Sequence, residues 1–197
     1  MADKNKVKFG IKKAYYVPYD EDKKTYGTPI PLPGAKSFSL TAEGDETSFY
    51  ADDIVYYTSN ANAGYSGDFE IAMATEGVCT DLLGQEFDDN GVLIEGSDDK
   101  QKTFALLYEI DGDVQKRRFC FYNCTLSRPD TEANSKEDTV EPDTDTLSVR
   151  MVSREFPWGD GGDTKNVIKA SVTNDTTTKA TFDSWYTKVY TPTKAAA

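Results

Sequence analysis

Histidine is absent from the chain. That excludes Ser-His-Asp and Cys-His nucleophile systems and every His-ligated metal site. A catalyst made of this sequence would have to run on carboxylates, Lys, Tyr or a cofactor. Long apolar runs are missing too. No stretch approaches the roughly 18 apolar residues of a membrane span. Met1 to Lys13 alternates Lys with single apolar residues and has no continuous hydrophobic segment, so no signal peptide is expected. Positive charge is scarce, with 22 Lys and Arg against 34 Asp and Glu and a formal net charge of −12. Such a chain cannot grip nucleic acid through its phosphates, which needs clustered Lys and Arg. Nor is it drawn to an anionic membrane. Cysteine is limited to Cys79, Cys120 and Cys124. Cys120 and Cys124 stand four apart in one strand, roughly 13 Å along it, too far to bridge. No second Cys pair follows to complete a metal site. Three reduced structural thiols in a cytosol-made protein are expected.

What is present fits one domain. The 197 residues are 38% hydrophobic and 12% aromatic, enough for a real core. The dominant period is two, which predicts a mainly β protein. Val7-Phe9-Ile11 alternates with lysines and runs into Tyr15-Tyr16-Val17. Pro29 to Gly34 holds three prolines, so it reads as an extended connector. Ser37 to Thr41 alternates, as does Gly64 to Met73, with Phe69, Ile71 and Met73 on one face and Asp68 and Glu70 on the other. Phe38, Leu40, Phe104, Leu106, Tyr108 and Ile110 keep the apolar phase of their strands and are assigned to the core with Phe69 and Ile71. One short helix is predicted over Glu76 to Leu83, with Gly84 at its C-terminal cap position. Thr103 to Ile110 and Val114 to Ser127 should pair about Asp111-Gly112-Asp113. Thr146 to Phe156 reads as a strand. Val167 to Thr173 and Lys179 to Tyr186 read as a last hairpin. Arg128 to Asp143 reads as an exposed loop and Tyr190 to Ala197 as a tail.

Chemical motifs are weak. Glu86 to Ser97 can be laid on the calcium-loop template, but its first place holds Glu86 and its last Ser97, where a bidentate Glu belongs, so a turn is expected. Gly159 to Lys165 lacks the phosphate-loop spacing. Lys116-Arg117-Arg118 suits acidic neighbours. With 34 acids, carboxylate pairs arise by chance, and no catalytic constellation stands out. The segment Ala42 to Ala63 does stand out. It is read as a loop, longer than a hairpin needs, acidic at Glu43, Asp45, Glu46, Asp52 and Asp53 and aromatic at Phe49, Tyr50, Tyr56 and Tyr57. Long aromatic loops on small β domains contact partners. The alternative is that Tyr56 and Tyr57 cap the domain's own core.

An ordered series of segments resembles the major tail proteins of long-tailed bacteriophages. It comprises Leu32-Pro33-Gly34-Ala35, Phe49-Tyr50-Ala51-Asp52-Asp53, Gly64-Tyr65-Ser66-Gly67 and Leu82-Leu83-Gly84. It continues with Phe104 to Glu109 and Phe121 to Pro129, so the resemblance runs from about residue 5 to about residue 192. It implies a single tail tube domain, a β-sandwich or split barrel with one short helix. Six such subunits would close as a ring, and rings would stack into a hollow tube for the genome. It also implies a virion location after assembly in the host cytoplasm. Partners would be further copies of the chain, the tail terminator, tape measure and distal tail proteins, and passing double-stranded DNA held without tight binding. No catalysis and no cofactor is implied. Asp68 and Glu70 would line the channel and repel DNA, and the 42–63 loop would contact the neighbouring ring or subunit. No immunoglobulin-like domain is expected after Pro192. Two rival readings stand beside this one. One is a β-sandwich carbohydrate- or receptor-binding module of the virion surface that stacks sugars on exposed Trp158 and Trp185. The other is a carboxylate hydrolase.

Overall fold

The computed structural model describes residues 10–51, 53–130, 143–159 and 161–194. The strands are β1 (Ile11–Asp20), β2 (Thr25–Tyr26), β3 (Ile30–Pro31), β4 (Ala35–Glu43), β5 (Glu46–Ala51), β6 (Ile54–Asn60) and β7 (Gly64–Ile71). After a helical turn, α1 (Glu76–Val78), come β8 (Glu86–Phe87), β9 (Leu93–Ile94), β10 (Phe104–Ile110), β11 (Arg118–Leu126), β12 (Asp145–Val152), β13 (Arg154–Pro157), β14 (Thr164–Val167) and β15 (Lys169–Val172). A second short helix, α2 (Lys179–Asp183), follows. The protein is therefore mainly β, with antiparallel pairing throughout.

The main sheet runs β2-β1-β10-β11-β12-β7-β4. It curls until β4 comes back against β1 without ladder hydrogen bonds. A cleft of about 320 Å³ lined by Ile11, Phe38, Tyr108 and Ile110 marks the seam. Curling puts one face of β1, β10, β11, β12, β7 and β4 inside. Tyr16, Phe69, Ile71, Phe104, Leu106, Phe121 and Leu147 are buried there, with Phe38, Leu40, Tyr108 and the edge of Ile11 packed against them. The period-two assignment of the core thus holds except at two ends: Ile110 is half-buried at the seam and belongs to neither core, and Met73 lies past the end of β7 and is exposed. Ile71 is fully buried. Ile71→Ala is expected to cost about 2–5 kcal/mol, by lost transfer energy plus the cavity left behind. The check is the urea midpoint at constant slope. A loss well under about 1 kcal/mol would mean that the strand's faces are reversed.

One end of the curled sheet is closed by α1. Thr75 caps it, its Oγ1 accepting from Val78 N at 3.4 Å. The helix widens into a π turn over Cys79–Leu83, and Val78, Leu82 and Leu83 are buried. Gly84 ends it with φ of +83°, and a Cβ there would meet Lys100 O at 2.5 Å, so only glycine fits.

A second core lies on the outer face of β1, β10 and β11. Val17, Ala105, Leu107, Cys120 and Tyr122 are covered there by Phe156, Val172, Trp185 and Val189. This cover comes from the C-terminal segment. The expected hairpin 167–186 is only half formed: β15 pairs with β11, and the Lys179–Tyr186 stretch is α2 and turns rather than a strand. The cover is fixed by a buried charge pair. Arg118 Nε donates to Glu109 at 3.0 Å, Arg118 Nη1 donates to Phe182 O at 2.5 Å, and the guanidinium lies 3.7 Å over the Phe182 ring. The tail is also shorter than expected, because Tyr190 stacks on Trp185 and Pro192 is buried. Two other boundaries differ. β11 starts at Arg118, since 111–117 forms a wide turn tied by Asp113 to Arg117 at 2.5 Å. The strand expected over Thr146 to Phe156 breaks at Ser153. Asp88-Asp89-Asn90-Gly91 is the turn between β8 and β9, with Asp88 Oδ1 accepting from Asn90 N and Val92 N. The three cysteines are free thiols. Of the expected loop Arg128 to Asp143, residues 131–142 lie outside the described residues.

Candidate functional site

The 42–63 segment is an extension of the sheet rather than a loop. β5 pairs β6 in the same antiparallel sense as β4 pairs β7. Between the two ladders Ala63 N donates to Glu43 O at 2.9 Å and Ala61 N to Asp45 O at 3.0 Å. One ribbon therefore runs unbroken from Ala35 to Ile71, and its outer part projects past the domain as an arm. Asp53, with φ of +60°, turns the chain at the tip. Phe49 stands opposite Tyr57, and Tyr50 opposite Val55, with Tyr56 as the extra residue of a bulge. Both faces of the arm therefore carry large apolar groups. Phe49, Tyr50, Ile54, Val55, Tyr56 and Tyr57 are all exposed, Tyr56 at 73%. The alternative in which Tyr56 and Tyr57 cap the domain's own core is overturned by this exposure. A two-stranded ribbon wet on both faces is marginal by itself, and contiguous exposed apolar surface marks an interaction site.

The predicted arm residues fall as follows. Asp45, Glu46 and Asp53 are exposed. Glu43 sits at the arm's base, half-buried, 3.9 Å from Arg150 Nη2. Asp52 lies outside the described residues. Sequence reasoning missed Ile54 and Val55, although the β-branched run Ile54-Val55 directly after Asp52-Asp53 is a hairpin signal.

The second candidate surface is the outer face of β4, β7 and β12, which the C-terminal cover leaves bare. Register places Ser37, Glu70 and Thr146 in one row across the three strands. Ser39, Asp68 and Ser148 form the next row, and Thr41, Ser66 and Arg150 the third. This face is mostly hydroxyl. Its two predicted acids share it and differ in setting. Asp68 is exposed and accepts from Ser148 Oγ at 2.9 Å. Glu70 accepts from Lys36 Nζ at 2.6 Å, from Thr144 Oγ1 at 2.6 Å and from Ser37 Oγ at 3.0 Å. These partners were not predicted. The signal for the serines and threonines was the other phase of the same alternation that named Phe38, Leu40, Phe69 and Ile71.

Lys36, then Thr144 and Ser37, push the Glu70 carboxyl down to about 2. A lowered folded value means that this carboxylate's contribution is complete above the ordinary Glu value and is lost as pH falls toward 2. A carboxyl ¹³C titration of the folded chain should show Glu70 ionised at pH 4. A midpoint at or above 4 would mean the three bonds do not form in solution.

The sugar-stacking surface is not assembled. Trp185 is 1% exposed and belongs to the outer core. Trp158 is half-buried, with Lys165 Nζ 4.1 Å above its ring. No family model matches the chain, and no curated protein matches it.

Proposed function

We propose that this chain is a structural subunit of a phage tail tube, closing in rings, hexameric by the resemblance, that stack into a hollow tube for double-stranded DNA. The observation that carries this reading is the arm: a ribbon continuous with the main sheet, apolar on both faces and uncovered among the described residues. A second copy of the chain would cover it. The open seam between β4 and β1 supports a split-barrel subunit, and the bare hydroxyl-rich face supports a wet, weakly adhesive wall. In this reading Asp68 and Glu70 face the channel, and the arm residues reach the adjoining ring or subunit. Terminator, tape measure and distal tail proteins would meet the tube at its ends and in its lumen. The role is mechanical, with no catalysis and no cofactor. Negative-stain electron microscopy of the concentrated protein tests it. Rings or tubes are expected, and a protein that stays monomeric at all concentrations would overturn the reading.

A further inference from the structure

We infer that the arm of one copy is received by the C-terminal cover of a second copy, the surface formed by residues 164–194. This rests on the proposed self-assembly and names its second half. Charge is the first argument. Residues 42–63 hold five acids and no Lys or Arg, a formal −5. Residues 164–194 hold five lysines and two aspartates, a formal +3, and the rest of the chain carries −10. Two copies therefore repel each other over most of their surfaces. Contact between arm and cover is one arrangement in which opposite charges meet; the stretch 1–13, at a formal +4, is the other basic segment. Such complementarity sets orientation and encounter rate more than affinity.

Burial is the second argument. The cover turns Val172, Trp185 and Val189 into the outer core, which leaves Lys165, Lys169, Lys179, Lys188 and Lys194 exposed. One of these lysines covers an aromatic ring, and another runs beside the residue that follows it. Lys165 lies over Trp158, and a Cβ on Gly159 would stand 3.1 Å from Lys194 Cδ. An aromatic ring with an ammonium group over it suits an arm that combines Tyr and Phe with carboxylates. The third argument is the rejection of the rival surface. The β8–β9 hairpin also exposes apolar groups, Phe87, Val92 and Ile94. It is acidic at Glu86, Asp88, Asp89 and Glu95, so it repels the arm.

The experiment is a charge swap scored by the fraction of protein in sedimenting tubes at about 0.15 M salt, where charges act over about 8 Å. The cover variant is Lys165→Glu with Lys194→Glu, the arm variant Asp45→Lys with Glu46→Lys. Each alone is expected to lower the assembled fraction at least tenfold, and all four changes in one chain to restore it. A cover variant that assembles like the parent overturns the inference. So does a loss that the combined variant fails to recover, which also separates a folding defect from a lost contact. Either result leaves the tube reading intact as long as removal of the arm still blocks assembly.

Discussion

In the proposed assembly, removal of Asp45 to Ala61 should give a folded subunit that no longer builds tubes. Glu43 and Gly64 are paired residues of the β4–β7 ladder, so the deletion leaves a three-residue Gly44-Asn62-Ala63 connection between them. Three-residue hairpin connections are common. No residue of either buried core lies between 45 and 61. The far-ultraviolet spectrum should therefore stay β-rich and the melting temperature should change little. Assembly should change greatly. Fully burying a large apolar side chain stabilises by about 1.5–3 kcal/mol. The arm presents Phe49, Tyr50, Tyr56 and Tyr57 to solvent. If contact with the next copy recovers even half of their burial, the arm supplies roughly 3–6 kcal/mol per subunit. That is about a hundred- to ten-thousandfold in association at 1.4 kcal/mol per decade. Electron microscopy and sedimentation of the deleted chain give the answer. Long tubes made without the arm would remove it from the assembly mechanism.

The arm shows where the sequence was legible and where it was not. Alternation revealed the inner faces of β4 and β7, because one side of each strand packs inside the curl and the other was read as polar. The arm breaks that rule, since both its faces are apolar, and a segment without alternation was read as a loop. β10 breaks it in the opposite way. Phe104, Ala105, Leu106 and Leu107 are all buried, because the inner core takes one face and the C-terminal cover the other. A strand covered on both sides loses its polar phase, and the covering residues lie some 50 to 85 positions further along the chain. The cover itself was misread for a related reason. Thr176-Thr177-Thr178 and the aromatic run after it have strand-like propensity, yet α2 is held in place by Arg118, which stacks on Phe182 and bonds its carbonyl. Tertiary contact decided the local structure. Glu70 was identified as an outward acid, but its partners Lys36 and Thr144 come from other strands and loops, so its ion pair could not be read from its neighbours in sequence.

That pairing sharpens what should happen when the outer acids are reversed. Asp68→Lys with Glu70→Lys is a formal change of +4 per subunit, and +24 in a ring of six. Neither side chain enters a core, so folding and tube formation should survive. The two sites are not equivalent. Glu70 already carries Lys36 at 2.6 Å, so its field is partly cancelled, and its reversal sets two ammonium groups side by side. Asp68 is bonded only to a hydroxyl among the described residues, so it presents the fuller negative charge. In the proposed tube this face borders the channel. Double-stranded DNA brings about one charge per 1.7 Å of axis, and lumen lysines would contact phosphates and release counterions. Phage built with the reversed subunit should therefore eject DNA slowly or incompletely at low salt and recover as salt rises. The neutral pair Asp68→Asn with Glu70→Gln should fall close to the parent, because it removes repulsion without adding a cation. DNA release from purified virions at two salt concentrations reads the effect. Unchanged release at both, with the substitutions verified in the tube, would place this face away from the DNA path. The hydroxyl rows of β4, β7 and β12 would then have to face the outside of the tube.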